Sequence, residues 1–192
     1  MEERFSVAAH TEAGDVAALV NRAYRPAPAK GGWTHEANWV HGPRTTVPQV
    51  SALIDNGGAI LKMTDSSSRL IACVHVSASD AATRIGMLAT DPTLQGIGLG
   101  SQMLDAAEQY AAAHSMPRTA VINVLECRGE LIAFYERRGY RRTGVVHPYP
   151  LSDGFGSPVM EGMTVVEMAK VITDRLNESQ ARPFRFKNFS LQ

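Results

Sequence analysis

An excess of charge of either sign is missing: 19 Lys and Arg face 19 Asp and Glu, so the formal net charge is zero. Nucleic-acid binding by bulk electrostatics needs clustered excess base, so no such partner is expected. Cysteine is scarce as well. Cys73 and Cys127 stand alone without CxxC spacing and read as two thiols of a reducing compartment rather than as a disulfide framework. The histidines are scattered and form no HExxH, so no metal site is expected. No apolar run approaches the roughly 18 residues of a membrane helix. The first residues, Met1-Glu2-Glu3-Arg4, carry charge where a secretory leader has its apolar segment. The expectation is a cytoplasmic protein with no membrane partner.

What is present is ordinary globular material, 192 residues with 44% hydrophobic and 20% charged side chains, enough for one domain with a full core. Periodicity predicts a strand over 5–10 and helices over 15–25 and 47–56, the second stopped by Gly57-Gly58. Two strands, 59–64 and 70–77, flank the polar turn Asp65-Ser66-Ser67-Ser68, and a third runs over 83–90. A helix over 98–114, a β-branched strand over 119–125 and a helix over 129–138 follow. Strands over 140–146 and 164–171 close the pattern. Antiparallel strands leading into a βαβ-like centre predict a mixed α/β fold rather than a doubly wound one. We expect one domain over residues 1–173 and a C-terminal tail over 174–192.

The most informative segment joins the strand over 83–90 to the next helix: Asp91-Pro92-Thr93-Leu94-Gln95-Gly96-Ile97-Gly98-Leu99-Gly100-Ser101. Glycines let the backbone turn sharply and approach a ligand, and a helix N-terminus offers unpaired N–H groups to an anion. A dinucleotide loop wants GxGxxG. Glu126, at the end of the next strand, would suit its acidic partner, but Gly100 falls one residue too soon for the third glycine. A Walker-type loop needs GxxxxGK[ST], and no Lys follows. A ligand-free turn is the remaining alternative.

Gln95, Gly98 and Gly100 fill the [Q/R]xxGx[G/A] pattern of the acyl-CoA pyrophosphate loop in the GNAT N-acetyltransferase superfamily. Downstream, Phe134-Tyr135-Glu136-Arg137-Arg138-Gly139-Tyr140 resembles that family's LYExxGF segment. Together with the order of elements from Phe5 to about Val171, the resemblance covers most of the chain. It implies a central, mostly antiparallel twisted sheet of about seven strands, with splayed fourth and fifth strands and flanking helices. It also implies acetyl-CoA as cofactor, a small-molecule or amino-acid-like amine as acceptor, and a homodimer as assembly.

The resemblance carries roles to particular residues. Backbone groups of Met87, Leu88, Ala89 and Thr90 would line the cofactor arm, and Gln95, Gly96, Ile97, Gly98, Leu99, Gly100 and Ser101 would hold the pyrophosphate. Tyr135 matches the family's acid to the leaving thiolate. Arg128 stands where the family often has Asn and is a candidate for a CoA phosphate. An alkyl amine with a pKa of about 10 is mostly protonated at neutral pH, so either a base or selection of the neutral form is required. Glu126 is the first choice of base, with Glu36 and His75 behind it. Acceptor contacts fall on the segments 26–46 and 147–163, where Trp33, Glu36, Arg44 and Tyr149 are the candidates. An acyl-CoA-binding regulatory domain without chemistry is the alternative function.

Overall fold

In the computed structural model, which describes residues 4–27, 32–151 and 154–173, the chain begins with β1 (Arg4–Val7), α1 (Ala13–Tyr24), β2 (Val40–His41) and α2 (Val47–Asp55). The strands β3 (Ala59–Thr64), β4 (Leu70–Ala78) and β5 (Thr83–Thr90) follow, then α3 (Leu99–Ala113) and β6 (Thr119–Leu125). The last elements are α4 (Gly129–Glu136), β7 (Arg141–Pro148), β8 (Ser157–Pro158) and β9 (Thr164–Val171). One seven-stranded sheet has the order β1-β3-β4-β5-β6-β9-β7. Every neighbouring pair is antiparallel except β5 with β6. This is the mixed α/β arrangement expected from the sequence.

Each face of the sheet is covered by a helical layer, because each helix has one apolar stripe to bury. On one face, Val16, Leu19 and Val20 of α1 pack with Val50 of α2 on Ile60, Cys73 and Met87. On the other, Leu99, Met103 and Leu104 of α3 and Ile132, Phe134 and Tyr135 of α4 pack on Ile85, Ile122 and Val124. Burying one such aliphatic side chain contributes about 1.5–3 kcal/mol, so the two layers clamp the sheet between them. β4 lies between both layers, and Ile71, Ala72, Cys73 and Val74 have no exposure at all.

Two local differences from the expected elements have clear causes. β1 stops at Val7 rather than residue 10, because His10–Glu12 tighten into a 3-10 turn. There the Glu12 carboxylate accepts from the Ala9 N–H at 2.8 Å. The short pair β2–β8 was not anticipated: it joins Val40 to Pro158 and His41 to Ser157. That pair ties the loop after α1 to the loop before β9. Gly156 makes it possible, with φ +95° and a space in which a Cβ would meet His41 O at 2.3 Å.

The sheet is not continuous. β5 and β6 pair only at Thr83↔Ala120 and Arg84↔Val121, then separate over the rest of their length. On its other side β5 slips against β4: Cys73 pairs with Ala89 but His75 pairs with Gly86. The extra β5 residue is a bulge, and Met87 inside it has φ +47°. A left-handed non-glycine residue costs on the order of 1–2 kcal/mol, and such strain persists only where neighbours fix it. Here the buried Met87 side chain, packed with the α1 layer, is the anchor.

Candidate active site

A cleft of about 240 Å³ opens where β5 leaves β6. Its walls include Leu88, Ala89 and Thr90 of β5, the glycine loop from Gln95 to Ser101 without Ile97, Leu131 and Phe134 of α4, and Arg138 just beyond that helix. Tyr24 at the end of α1, Trp33 and Thr34 of the following loop, and Arg128 complete it. Gly96 and Gly98 have φ +85° and +96°, and a Cβ on either would meet nothing within 4 Å, so the loop faces open space. Gly98 caps α3, and no side chain accepts the first N–H groups of that helix. Those donors and the positive end of the helix dipole suit an anion.

Gln95 lies across the loop. Its Nε2 donates to Thr90 O at 3.4 Å, while its Oε1 is buried without a hydrogen-bond partner. Gly32 leaves the room for it, because a Cβ at residue 32 would meet Gln95 Oε1 at 1.7 Å. Arg138 donates to Phe134 O at 2.8 Å and to Ser101 Oγ, and its guanidinium lies 3.5 Å from the Phe134 ring centroid. Burial, with Arg137 nearby, lowers the Arg138 pKa.

At the inner end the Tyr24 hydroxyl donates to Leu88 O at 3.2 Å, so the α1 helix reaches the strained part of β5. Burial raises the Tyr24 pKa. Tyr135 is buried edge-on between Phe134 (5.2 Å) and Tyr140 (5.7 Å). Its pKa is pushed well up, chiefly by burial and next by Tyr24, against a lowering from Arg128 and Arg138. It is therefore a proton-bearing phenol at neutral pH.

Glu36 is held between two arginines. Arg25 Nη1 donates to Glu36 Oε2 at 2.5 Å and Arg128 Nη1 donates to Glu36 Oε1 at 2.9 Å. All three side chains are nearly buried. Arg128 also donates to Thr34 Oγ1 at 2.5 Å. Arg44 lies 5.2 Å from the Tyr24 ring centroid and 4.5 Å from that of Phe155.

The residues anticipated from sequence thus divide. Leu88, Ala89, Thr90, Gln95, Gly96, Gly98, Leu99, Gly100, Ser101, Arg128 and Trp33 share the cleft. Met87 points into the core, and Ile97 is 61% exposed outside the cleft. Glu126 lies away from it: its carboxylate accepts from Thr164 Oγ1 at 2.7 Å and meets Arg142 at 3.5 Å, half exposed. His75 packs against Gly58, its Nε2 buried without a partner. Tyr149 is buried with Val40 and Leu125, and its hydroxyl donates to Phe155 O at 2.8 Å. The tail over 174–192 lies outside the described residues. Among the described residues, no group of three His, Cys, Asp or Glu side chains could hold a metal, and no helix is long and apolar enough to cross a membrane.

Residues 17–140 match the Acetyltransferase (GNAT) family. The chain belongs to that family. It is accordingly an acyltransferase, of a family that uses acetyl-CoA or another acyl-CoA as co-substrate. Solved structures agree on the GNAT fold. The ribosomal-protein-S18-alanine N-acetyltransferase from Escherichia coli superposes with a TM-score of 0.66 at 16% identity, over 90% of this chain and 95% of its own. An N-acetyltransferase from Staphylococcus aureus Mu50 gives 0.66 at 14%, over 90% and 100%. A GNAT-family acetyltransferase from Streptococcus pneumoniae gives 0.65 at 15%, over 90% and 100%. No curated protein matches.

The GNAT cleft fits an acyl-CoA on its own terms. The uncapped α3 start and the open glycine loop offer donors to a pyrophosphate. Beyond Arg84, the β6-facing groups of β5 have no strand partner, and the orphaned Gln95 Oε1 awaits a donor. Sequence reading missed Tyr24, Thr34, Phe134 and Arg138 as cleft residues. For Tyr24, the last turn of the helix that leads into the acceptor loop was the available signal.

Proposed function

We propose that this chain transfers the acetyl group of acetyl-CoA to a primary amine by direct attack, with Tyr135 as the acid at the departing sulfur. The observation that carries this reading is the wedge between β5 and β6, which opens beside the uncapped start of α3; Tyr135 does not line it but packs in the core directly behind Phe134, which does. Acetyl-CoA supplies the activated thioester and a thiolate leaving group. Unpaired β5 N–H groups around Leu88 meet the charge that builds on the carbonyl oxygen. Tyr135 gives its proton to the sulfur as the N–C bond forms and the C–S bond breaks. The amine's surplus proton leaves to water, and solvent reprotonates Tyr135.

A base role for Glu126 is not favoured, because that carboxylate is committed to Thr164 and Arg142 away from the cleft. Selection of the neutral amine replaces it: the Arg128 guanidinium in the cleft wall repels an ammonium ion and tolerates the free amine.

The test is thiol release from acetyl-CoA over a panel of amines, with Tyr135→Phe alongside. The expected loss in kcat is about 10²-fold or more, with acetyl-CoA affinity by calorimetry unchanged. Because burial raises the Tyr135 pKa, kcat/KM should climb with pH toward the acceptor's own pKa and show no falling limb below about pH 10. A chain that binds acetyl-CoA but acetylates no amine would be a binding domain without chemistry.

A further inference from the structure

Among the described residues, charge behind the Arg128 wall of the cleft does not balance. Arg25 and Arg128 share one buried carboxylate, that of Glu36, and Arg44 joins them across the Tyr24 ring, which lies 5.2 Å from Arg44 and 5.8 Å from Arg128. Glu130 approaches Arg128 Nε only at 3.9 Å and is 41% exposed. Even with Glu130 counted, three cations stand against two carboxylates among the described residues. Arg25 and Arg128 keep less than a tenth of their side-chain surface, and the Nε of each is buried without a hydrogen-bond partner. Uncompensated buried charge costs several kcal/mol, so a local surplus that serves no structural pairing points to an anion supplied from outside.

Arg44 makes the surplus usable. Among the described residues its guanidinium has no carboxylate partner, only the rings of Tyr24 and Phe155. Those rings fix its plane and leave its donors free, the arrangement that suits bidentate capture of an oxyanion. Arg128 lies 5.8 Å from the same Tyr24 ring. The hydroxyl of that ring touches Leu88 O on the splayed strand. One tyrosine side chain therefore spans from the cationic cluster to the backbone where the acyl group would be transferred.

We propose that this cluster binds an anionic group of the acceptor, so the substrate is a small primary amine that carries a carboxylate or similar oxyanion a few bonds from its nitrogen. The inference rests on the N-acetyltransferase reading above. Arg44 supplies the contact that has no carboxylate partner, and Arg128, pinned by Glu36 and Thr34, supplies the fixed one at the cleft wall.

Matched pairs of amino acids and their amides, compared at equal neutral-amine concentration with acetyl-CoA and the full chain, test it. The acids should be preferred by about tenfold or more, the value of a charge-assisted contact. Arg44→Gln should erase the preference with acetyl-CoA affinity unchanged; the Arg44 side chain is half-buried and the Asn21 contact is to its backbone N–H, which the substitution leaves in place. N-acetyl amino acids, but not their amides, should raise Tm of the wild type and not of Arg44→Gln. Equal use of acids and amides overturns the proposal. So does a lost acetyl-CoA affinity in Arg44→Gln, which would give the cluster to the cofactor. If no amine is acetylated, the N-acetyltransferase reading fails and the thermal shift alone decides: a shift with the acids supports an anion site, and none overturns it.

Discussion

Behind Tyr135 stands a buried polar contact that sequence alone does not announce. Tyr140, fully buried, donates to Glu108 Oε1 at 3.0 Å, and Lys170 Nζ reaches both oxygens of that carboxylate at 2.9 and 2.7 Å. Gly139 takes φ +88° to end the α4 turn, and Lys170 runs past it at 3.7 Å from where a Cβ would be. The triplet locks the end of the helix that carries the catalytic candidate. Removing one partner of a buried pair leaves the other charge uncompensated. Lys170→Met should therefore cost about 3 kcal/mol in urea unfolding, and adding Glu108→Leu should restore most of it. An additive double mutant would show that the pair is not coupled. Tyr135 could be named as a candidate from the sequence because its flanking residues form a local motif. The Arg128–Glu36 contact was not, since its partners lie 92 positions apart and each reads alone as a solvated charge.

At the scale of elements, the strands and helices were readable wherever apolar period and glycine stops agreed, as in β3, β5, β6 and β9. The splay was implied only by family resemblance, because nothing in the composition of β5 says where its partner leaves it. The bulge against β4 escaped for the same reason, since the left-handed φ of Met87 has no compositional signal. The β6-facing amides of β5 from Met87 to Thr90 have no ladder partner. Hydrogen exchange read by mass spectrometry should find them faster than those near Thr83, and acetyl-CoA should slow them. Equal protection with and without the ligand would remove β5 from the binding surface. The β2–β8 pair escaped sequence reading for a simpler reason: two residues per strand carry no period.

For the whole molecule, the two cysteines report on how the layers close over the sheet. Cys73 lies fully buried under α1 and α2, its thiol pushed up to about 12 by burial, whereas Cys127 is exposed. A thiol-reactive chromophore should label one group in the native protein and two in denaturant. Two rapid equivalents without denaturant would contradict the burial of Cys73, and none in denaturant would reveal a disulfide. The rate at which Cys73 becomes reactive then measures global opening of the α1 layer.

The far edge of the sheet has a consequence of another kind. Every residue of β7 is exposed, Val145 and Val146 among them, and its outer side has no strand partner among the described residues. A straight apolar edge of eight residues would be a template on which a second chain could extend the sheet, the first step toward insoluble assemblies. β7 is not straight. Its pairing with β9 breaks between Arg142 and Val146, Gly144 takes φ +88°, and two arginines lead the strand. An incoming strand would meet charge and then a kink before it had formed more than a few rungs, so the rim of the sheet is a poor template for its own extension.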